Sequence, residues 1–245
     1  MEFKIRELVK YDIKQYAERG PVNVVICGDS VSHGAFGDGE IDYDSVYHTL
    51  LKNKILAIRN YVPVNVINSA IGGITAHVSL GRYESQALSH NPDLLIIMFG
   101  LNDVNGPLDE YLNALKEMFD KATARGIDTI FMTPNMLNTY VAEGTPKQYC
   151  EYAKVTAEMQ TNGKMDRYMQ EAVRVAKACG VKVADCYAKW KELSKTQDTT
   201  LLLDNRINHP SREMHRLFAD TLFDVIFDGE YTLENVDKNT MYRGK

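Results

Sequence analysis

Apolar residues alternate along this chain between helical spacing and short continuous runs. Ile5, Leu8, Val9, Ile13 and Tyr16 recur at helical spacing, which predicts an amphipathic helix over residues 4–18. Gly20-Pro21 ends that pattern, and an apolar strand follows over Val22–Cys27. The pattern then repeats in kind. Asp42 and Asp44 can cap a helix that runs to about residue 60. Residues 64–68 read as a short strand and 76–90 as a helix. Residues 93–99, DLLIIMF, are a continuous apolar run after the first position, the mark of a central parallel strand covered on both faces. A helix at 108–125 places Leu112, Leu115, Met118, Phe119 and Ala122 on one face, and Gly126 closes it. A strand follows at 129–133, then a polar loop with a short helix over 135–163. A helix at 164–178, a last short strand at 181–184 and a final helix at 211–227 complete the pattern. The polar tail after Gly229 carries none.

Strands alternating with helices predict an α/β fold with a doubly wound parallel sheet, its right-handed crossovers placing helices on both faces. Sites in such sheets lie beyond the carboxyl ends of the strands. Three of the predicted strands deliver glycine and small polar groups to that one edge. They end in Gly28-Asp29-Ser30, Gly72-Gly73 and Gly100-Leu101-Asn102-Asp103.

Composition narrows the picture. The 245 residues suit one large α/β domain or two small ones, and the chain shows no repeat, low-complexity tract or Pro/Ser-rich linker, which favours one domain. A net charge of -5 argues against a broad basic face for nucleic acid. The four cysteines, Cys27, Cys150, Cys179 and Cys186, form no CxxC pair and no zinc-like cluster with histidine. The first residues, MEFKIRELVKYDIKQ, hold no apolar h-region, and nowhere does an apolar run reach membrane-spanning length. These features predict a cytoplasmic protein with reduced thiols and neither a nucleic acid nor a membrane as partner. No phosphate-binding loop, dinucleotide fingerprint or HExxH helix occurs, so no cofactor and no metal are expected. GDSVS also lacks the second glycine of a G-x-S-x-G elbow.

Four short motifs stand in order: GDS at 28–30, NSAIGGIT at 68–75, GLND at 100–103 and NHP at 208–210. Taken singly they read as a turn at Ser30, a helix cap at Asn102-Asp103 and a helix start at His209-Pro210. Together, from about residue 22 to 228, they resemble the SGNH, or GDSL-type, hydrolase family. That resemblance implies a three-layer α/β/α sandwich with a five-stranded parallel, flavodoxin-like sheet. It implies one domain over 1–245, with a helical extension before the core and the polar tail after it. It also implies a serine esterase, with Ser30 as nucleophile and oxyanion donor, Gly73 and Asn102 as further oxyanion donors, and His209 as general base.

Physical chemistry gives the same roles separate reasons. A serine hydroxyl is a weak nucleophile until a base takes its proton, and histidine has the pKa for that near neutrality. The tetrahedral intermediate needs preorganised donors, which a glycine backbone and a neutral amide supply. The remaining histidines, His33, His48, His77, His90 and His215, are expected to be structural or solvated, with His33 placed near enough to Ser30 to meet substrate.

One position departs from the family pattern of Asp-x-x-His: Arg206 stands three residues before His209, and Asp204 is the nearest acid. Either the loop bulges so that Asp204 reaches the imidazole, or a backbone carbonyl orients it. The expected partner is a small-molecule ester, with an acetylated sugar favoured by family analogy. A lysophospholipase, thioesterase, acyltransferase or non-catalytic carbohydrate binder of the same fold stays open, as does a homo-oligomer.

Overall fold

The computed structural model describes residues 2–37 and 39–231. Five parallel strands, β1 (Val22–Gly28), β2 (Val64–Asn68), β3 (Leu94–Met98), β4 (Thr129–Met132) and β5 (Lys182–Ala184), form one sheet in the order β2-β1-β3-β4-β5. β3 lies at its centre. All five of its side chains are fully buried, each worth about 1.5–3 kcal/mol over exposure. Its register against β1 pairs Gly28 with Met98, so these two strands end level.

The helices are α1 (Ile5–Leu8), α2 (Ile13–Arg19), α3 (Ser30–His33), α4 (Tyr47–Ile58), α5 (Ala76–Gln86), α6 (Leu108–Ala124), α7 (Cys150–Thr161), α8 (Lys164–Ala178), α9 (Cys186–Leu193) and α10 (Arg212–Phe227). α4, α9 and α10 pack together on one face of the sheet, while α5, α6 and α8 cover the other, with α7 against α8. This is the three-layer arrangement that the alternation of strands and helices predicts. No helix among the described residues is long and apolar enough to cross a membrane.

Some boundaries differ from the sequence pattern, for local reasons. The helix expected over 4–18 is two helices. Asp12 breaks it by capping α2: its carboxylate accepts from the Lys14 and Gln15 N–H groups, and the Gln15 side chain accepts from the Asp12 N–H. Ile13 is consequently exposed rather than part of a continuous apolar face. Asp42 and Asp44 do not cap α4, which begins after Val46. Asp42 instead closes a turn, accepting from the N–H groups of Asp44 and Ser45. The 76–90 segment is α5 followed by a single 3₁₀ turn, Leu88–His90. α9 has no expectation behind it. Asp185 caps it, and it carries the fully buried Trp190. The polar tail lies largely outside the described residues.

Candidate active site

The serine side begins where β1 ends. Asp29 accepts from the Val31 N–H at 3.1 Å and so caps α3, whose first residue is Ser30. That one-turn helix folds back over the strand end. A Cβ on Gly28 would stand 2.8 Å from Ser32 Cβ and 2.9 Å from the Met98 carbonyl, so only glycine permits the approach. At the first helical position, the Ser30 N–H has no intrahelical acceptor.

The chain leaving β2 stays beside β1, with the Ile71 N–H donating to the Gly28 carbonyl at 3.2 Å. This carries Gly72 directly over Ser30: a Cβ there would lie 3.7 Å from Ser30 Cβ and 3.7 Å from His33 Nδ1. Gly73 turns with φ +79°, and space is open around it. From the end of β3, Asn102 donates one amide N–H to the Ile74 carbonyl at 3.1 Å. The amide is thus anchored to the Gly72-Gly73 segment. Asp103 ties the same strand end to α5, accepting from the Ala76 N–H at 2.8 Å.

Two carboxyls are buried under this edge. Desolvation pushes Asp29 up to about 7, with the nearby Asp103 adding to the rise, and pushes Asp103 up to about 6. Neither second carboxyl oxygen, Asp29 Oδ2 or Asp103 Oδ2, has a hydrogen-bond partner among the described atoms.

The histidine arrives on a loop. His209 Nε2 lies 3.0 Å from Ser30 Oγ, and His209 Nδ1 lies 2.9 Å from the Phe36 carbonyl oxygen. A carbonyl only accepts, so Nδ1 carries the proton and Nε2 presents its lone pair to the serine hydroxyl. Burial lowers the pKa of His209 below the ordinary histidine value, opposed by the Phe36 bond, which favours the charged ring.

The loop holding His209 is closed by one side chain. Asn205 Oδ1 accepts from the N–H groups of Ile207, Asn208 and His209 at 3.0, 2.9 and 2.9 Å. Asp204 N–H donates to the His209 carbonyl at 2.7 Å, and the chain beyond β4 braces the loop through Asn135 Nδ2 to the Asn208 carbonyl. Phe36 is held as firmly. Its ring is fully buried, 4.6 Å from the ring of His215, with the Arg212 guanidinium 4.6 Å from its centroid. Arg212 also bonds Glu40 and Asp42 at 2.5 and 2.9 Å, fastening the segment that follows Phe36.

The sequence profile of the GDSL-like lipase/acylhydrolase family matches residues 26–217, most of the chain. The chain belongs to this family. It is an ester-hydrolysing enzyme. It is 26% identical over 202 residues to an acetylxylan esterase of Geobacillus stearothermophilus, covering 77% of this chain and 80% of that one. The crystal structure of Axe2, an acetylxylan esterase of that organism, superposes with a TM-score of 0.66 at 22% identity, over 84% of this chain and 94% of that chain. An acetyl xylan esterase named AlAXEase superposes at 0.64 and 19% identity, over 84% and 100% of the two chains. At these identities the superpositions show a shared fold. Forms of Axe2 altered at a serine, an aspartate and a histidine are described as its catalytic mutants.

Measured against that family, this chain gathers Ser30, Gly73, Asn102 and His209 at the carboxyl edge of the sheet. Asp204 is placed elsewhere. Its Oδ2 accepts from Arg212 Nη1 at 3.4 Å, and the place at His209 Nδ1 belongs to Phe36. The loop does bulge, with Arg206 at φ +59°, but the bulge spends Asp204 on its backbone closure. Arg206 turns back instead of reaching out, donating through Nη1 to the Leu201 and Leu203 carbonyls at 2.7 Å each.

Phe36, Arg212, Asn205 and Gly72 are the residues that motif reading passed over. Gly72 was visible as half of a glycine pair, and Asn205 as a turn-forming residue before the histidine. A backbone carbonyl leaves no residue-type signal. Among the other histidines, His48 and His215 are buried, with burial lowering their pKa values to about 4 and about 3. His215 Nδ1 accepts from the Tyr47 N–H at 3.1 Å, a structural role. His33 bonds Tyr43 Oη at 3.3 Å beside Gly72.

Proposed function

We propose that this enzyme is a serine esterase that removes acetyl groups from carbohydrate, working through a Ser30–His209 dyad oriented by the Phe36 carbonyl. The observation that carries the reading is the chain of contacts from Ser30 Oγ to His209 Nε2 at 3.0 Å and from His209 Nδ1 to Phe36 O at 2.9 Å. His209 Nε2 takes the hydroxyl proton as Ser30 Oγ attacks the ester carbonyl carbon. The Ser30 and Gly73 N–H groups and the second amide N–H of Asn102 receive the oxyanion. The intermediate collapses as the carbon–alkoxide bond breaks, and His209 returns its proton to the departing oxygen. Water then attacks the acyl-enzyme, giving its proton to His209, and acid leaves as Ser30 recovers its own. The carbohydrate preference rests on the acetylxylan esterase relative.

Two measurements test this. A serine-reactive phosphonate should form one covalent adduct, mapped by mass spectrometry to Ser30. Across 4-nitrophenyl acetate, butyrate and octanoate, kcat/KM should fall with chain length, and acetylated xylo-oligosaccharides should be deacetylated. A preference for octanoate, with no release of acetate from sugar, would replace this reading with a lipase-type one.

A further inference from the structure

The proton that completes acylation travels from His209 Nε2 to the departing alkoxide, so the alcohol half of the ester must lie against His209. A cavity of about 200 Å³ borders His209 but none of Ser30, Gly72, Gly73 and Asn102. Its walls include Asn205 and Asn208 from the histidine loop and Tyr149 and Tyr152 from the start of α7. Tyr149 and Tyr152 are 43% and 37% exposed, so both leave ring surface open at the cavity wall. Tyr152 is not loose: its hydroxyl accepts from Asn105 Nδ2 at 3.3 Å, in the 3₁₀ turn that follows Asn102. The Asn208 side chain is likewise set by Asn205 Nδ2, which donates to Asn208 Oδ1 at 2.9 Å. One wall is therefore aromatic and the other carries amides, both tied to segments that hold the oxyanion donor or the base.

We infer that this cavity is the leaving-alcohol subsite and that it takes a pyranose ring, with Tyr149 as the stacking platform and Tyr152 and Asn208 at the hydroxyl rim. A pyranose has an apolar C–H face and a rim of hydroxyls, and an exposed tyrosine offers an apolar face ending in a hydroxyl. A long acyl chain has no hydroxyls for this wall, and the acyl group lies on the oxyanion side in any case. The inference rests on the esterase reading above and names the part of the site that recognises sugar.

The test compares kcat/KM for methyl 2-O-acetyl-β-D-xylopyranoside, whose free hydroxyls can meet the rim, with kcat/KM for ethyl acetate, whose alcohol has nothing to stack. A nitrophenyl ester is unsuitable, because its own ring could stack on tyrosine. In Tyr149→Ala the preference for the sugar ester should fall about tenfold, mainly through KM, the size of one lost aromatic contact. Tyr149→Trp, which keeps a flat face, should hold the preference within about threefold, whereas Tyr149→Leu should lose it. Tyr149 is exposed, so its removal opens no core void, and thermal denaturation confirms the fold in each variant. A preference unchanged in both Tyr149→Ala and Tyr152→Ala overturns the subsite while leaving the carbohydrate reading in place. A wild-type enzyme that does not favour the sugar ester over ethyl acetate overturns both.

Discussion

The two halves of this site are built differently. Ser30, Gly72-Gly73 and Asn102 follow three neighbouring strands, β1, β2 and β3, held in parallel register by the sheet ladder. His209 rides instead on a loop with no place in the ladder, positioned by Asn205, by the Leu203–Pro210 bridge and by the Phe36 carbonyl. In the first half, backbone register does the positioning, and side chains fill in the chemistry. In the second, one side chain gathers the loop's backbone N–H groups, a backbone bridge closes it and a backbone carbonyl meets the ring. The strand-end half should therefore fail only when a reacting group is removed. The loop half should fail by degrees, when its supports are loosened.

The sharpest break lies on the strand-end side. Ser30→Ala should lower kcat by about 10⁴- to 10⁶-fold, the scale of losing the nucleophile in a serine hydrolase, with Tm changed little. Turnover near the wild-type value, with contamination excluded by phosphonate titration, would remove Ser30 from the mechanism. Asn102→Ala should lower kcat by about 10²- to 10³-fold with KM nearly constant, because an oxyanion donor acts mainly in the transition state. A rise in KM at constant kcat would make Asn102 a ground-state binder.

On the loop side the effect should be graded. Arg212 spans Glu40, Asp42 and the Phe36 ring, so it is a positioning residue for the carbonyl that orients His209. Arg212→Ala should cost about 10- to 100-fold in kcat, the scale of a small misplacement of a catalytic group. Arg212→Lys, which keeps the charge but not the planar fork over Phe36, should recover part of it. If Arg212→Ala lowers Tm while kcat holds, Arg212 is only a surface clamp.

The same contrast explains what could be read from sequence. Apolar runs announce strands, and a parallel sheet forces their carboxyl ends to one edge, so Ser30, Gly73 and Asn102 could be grouped without coordinates. His209 was legible only through the NHP motif of the family resemblance, since His209-Pro210 taken alone reads as a helix start. Its partner was not. An acid five residues upstream looks like a displaced triad member, and only the path of the loop shows the Asp204 N–H closing onto the His209 carbonyl. Phe36 was hidden for a different reason: it meets His209 through its carbonyl, which every residue has. The capping box at Asp12 was in plain view, but the apolar period across it was continuous enough to suggest one helix.

The smallest effect bears most directly on the dyad. Replacing the orienting aspartate of a serine-protease triad by asparagine costs about 10⁴ in kcat, because the histidine takes the wrong tautomer. Here Asp204→Asn should keep kcat within about threefold of wild type, since the Phe36 carbonyl accepts from Nδ1 whatever stands at 204. The ion pair that the substitution removes is weak, with Asp204 Oδ2 3.4 Å from an Arg212 that still holds Glu40 and Asp42. The pH profile gives a second reading. The base works when neutral, hence above its pKa, and burial lowers that pKa, so the acid limb of kcat/KM should lie below the ordinary histidine value of 6.5. A carbonyl carries no charge to lose, so the limb should stay in place in Asp204→Asn. Were Asp204 the orienting group, asparagine would remove a negative charge beside the imidazolium and move the limb further toward acid, together with the collapse in kcat. A collapse and an acid-shifted limb together would restore the triad and displace Phe36 from the mechanism.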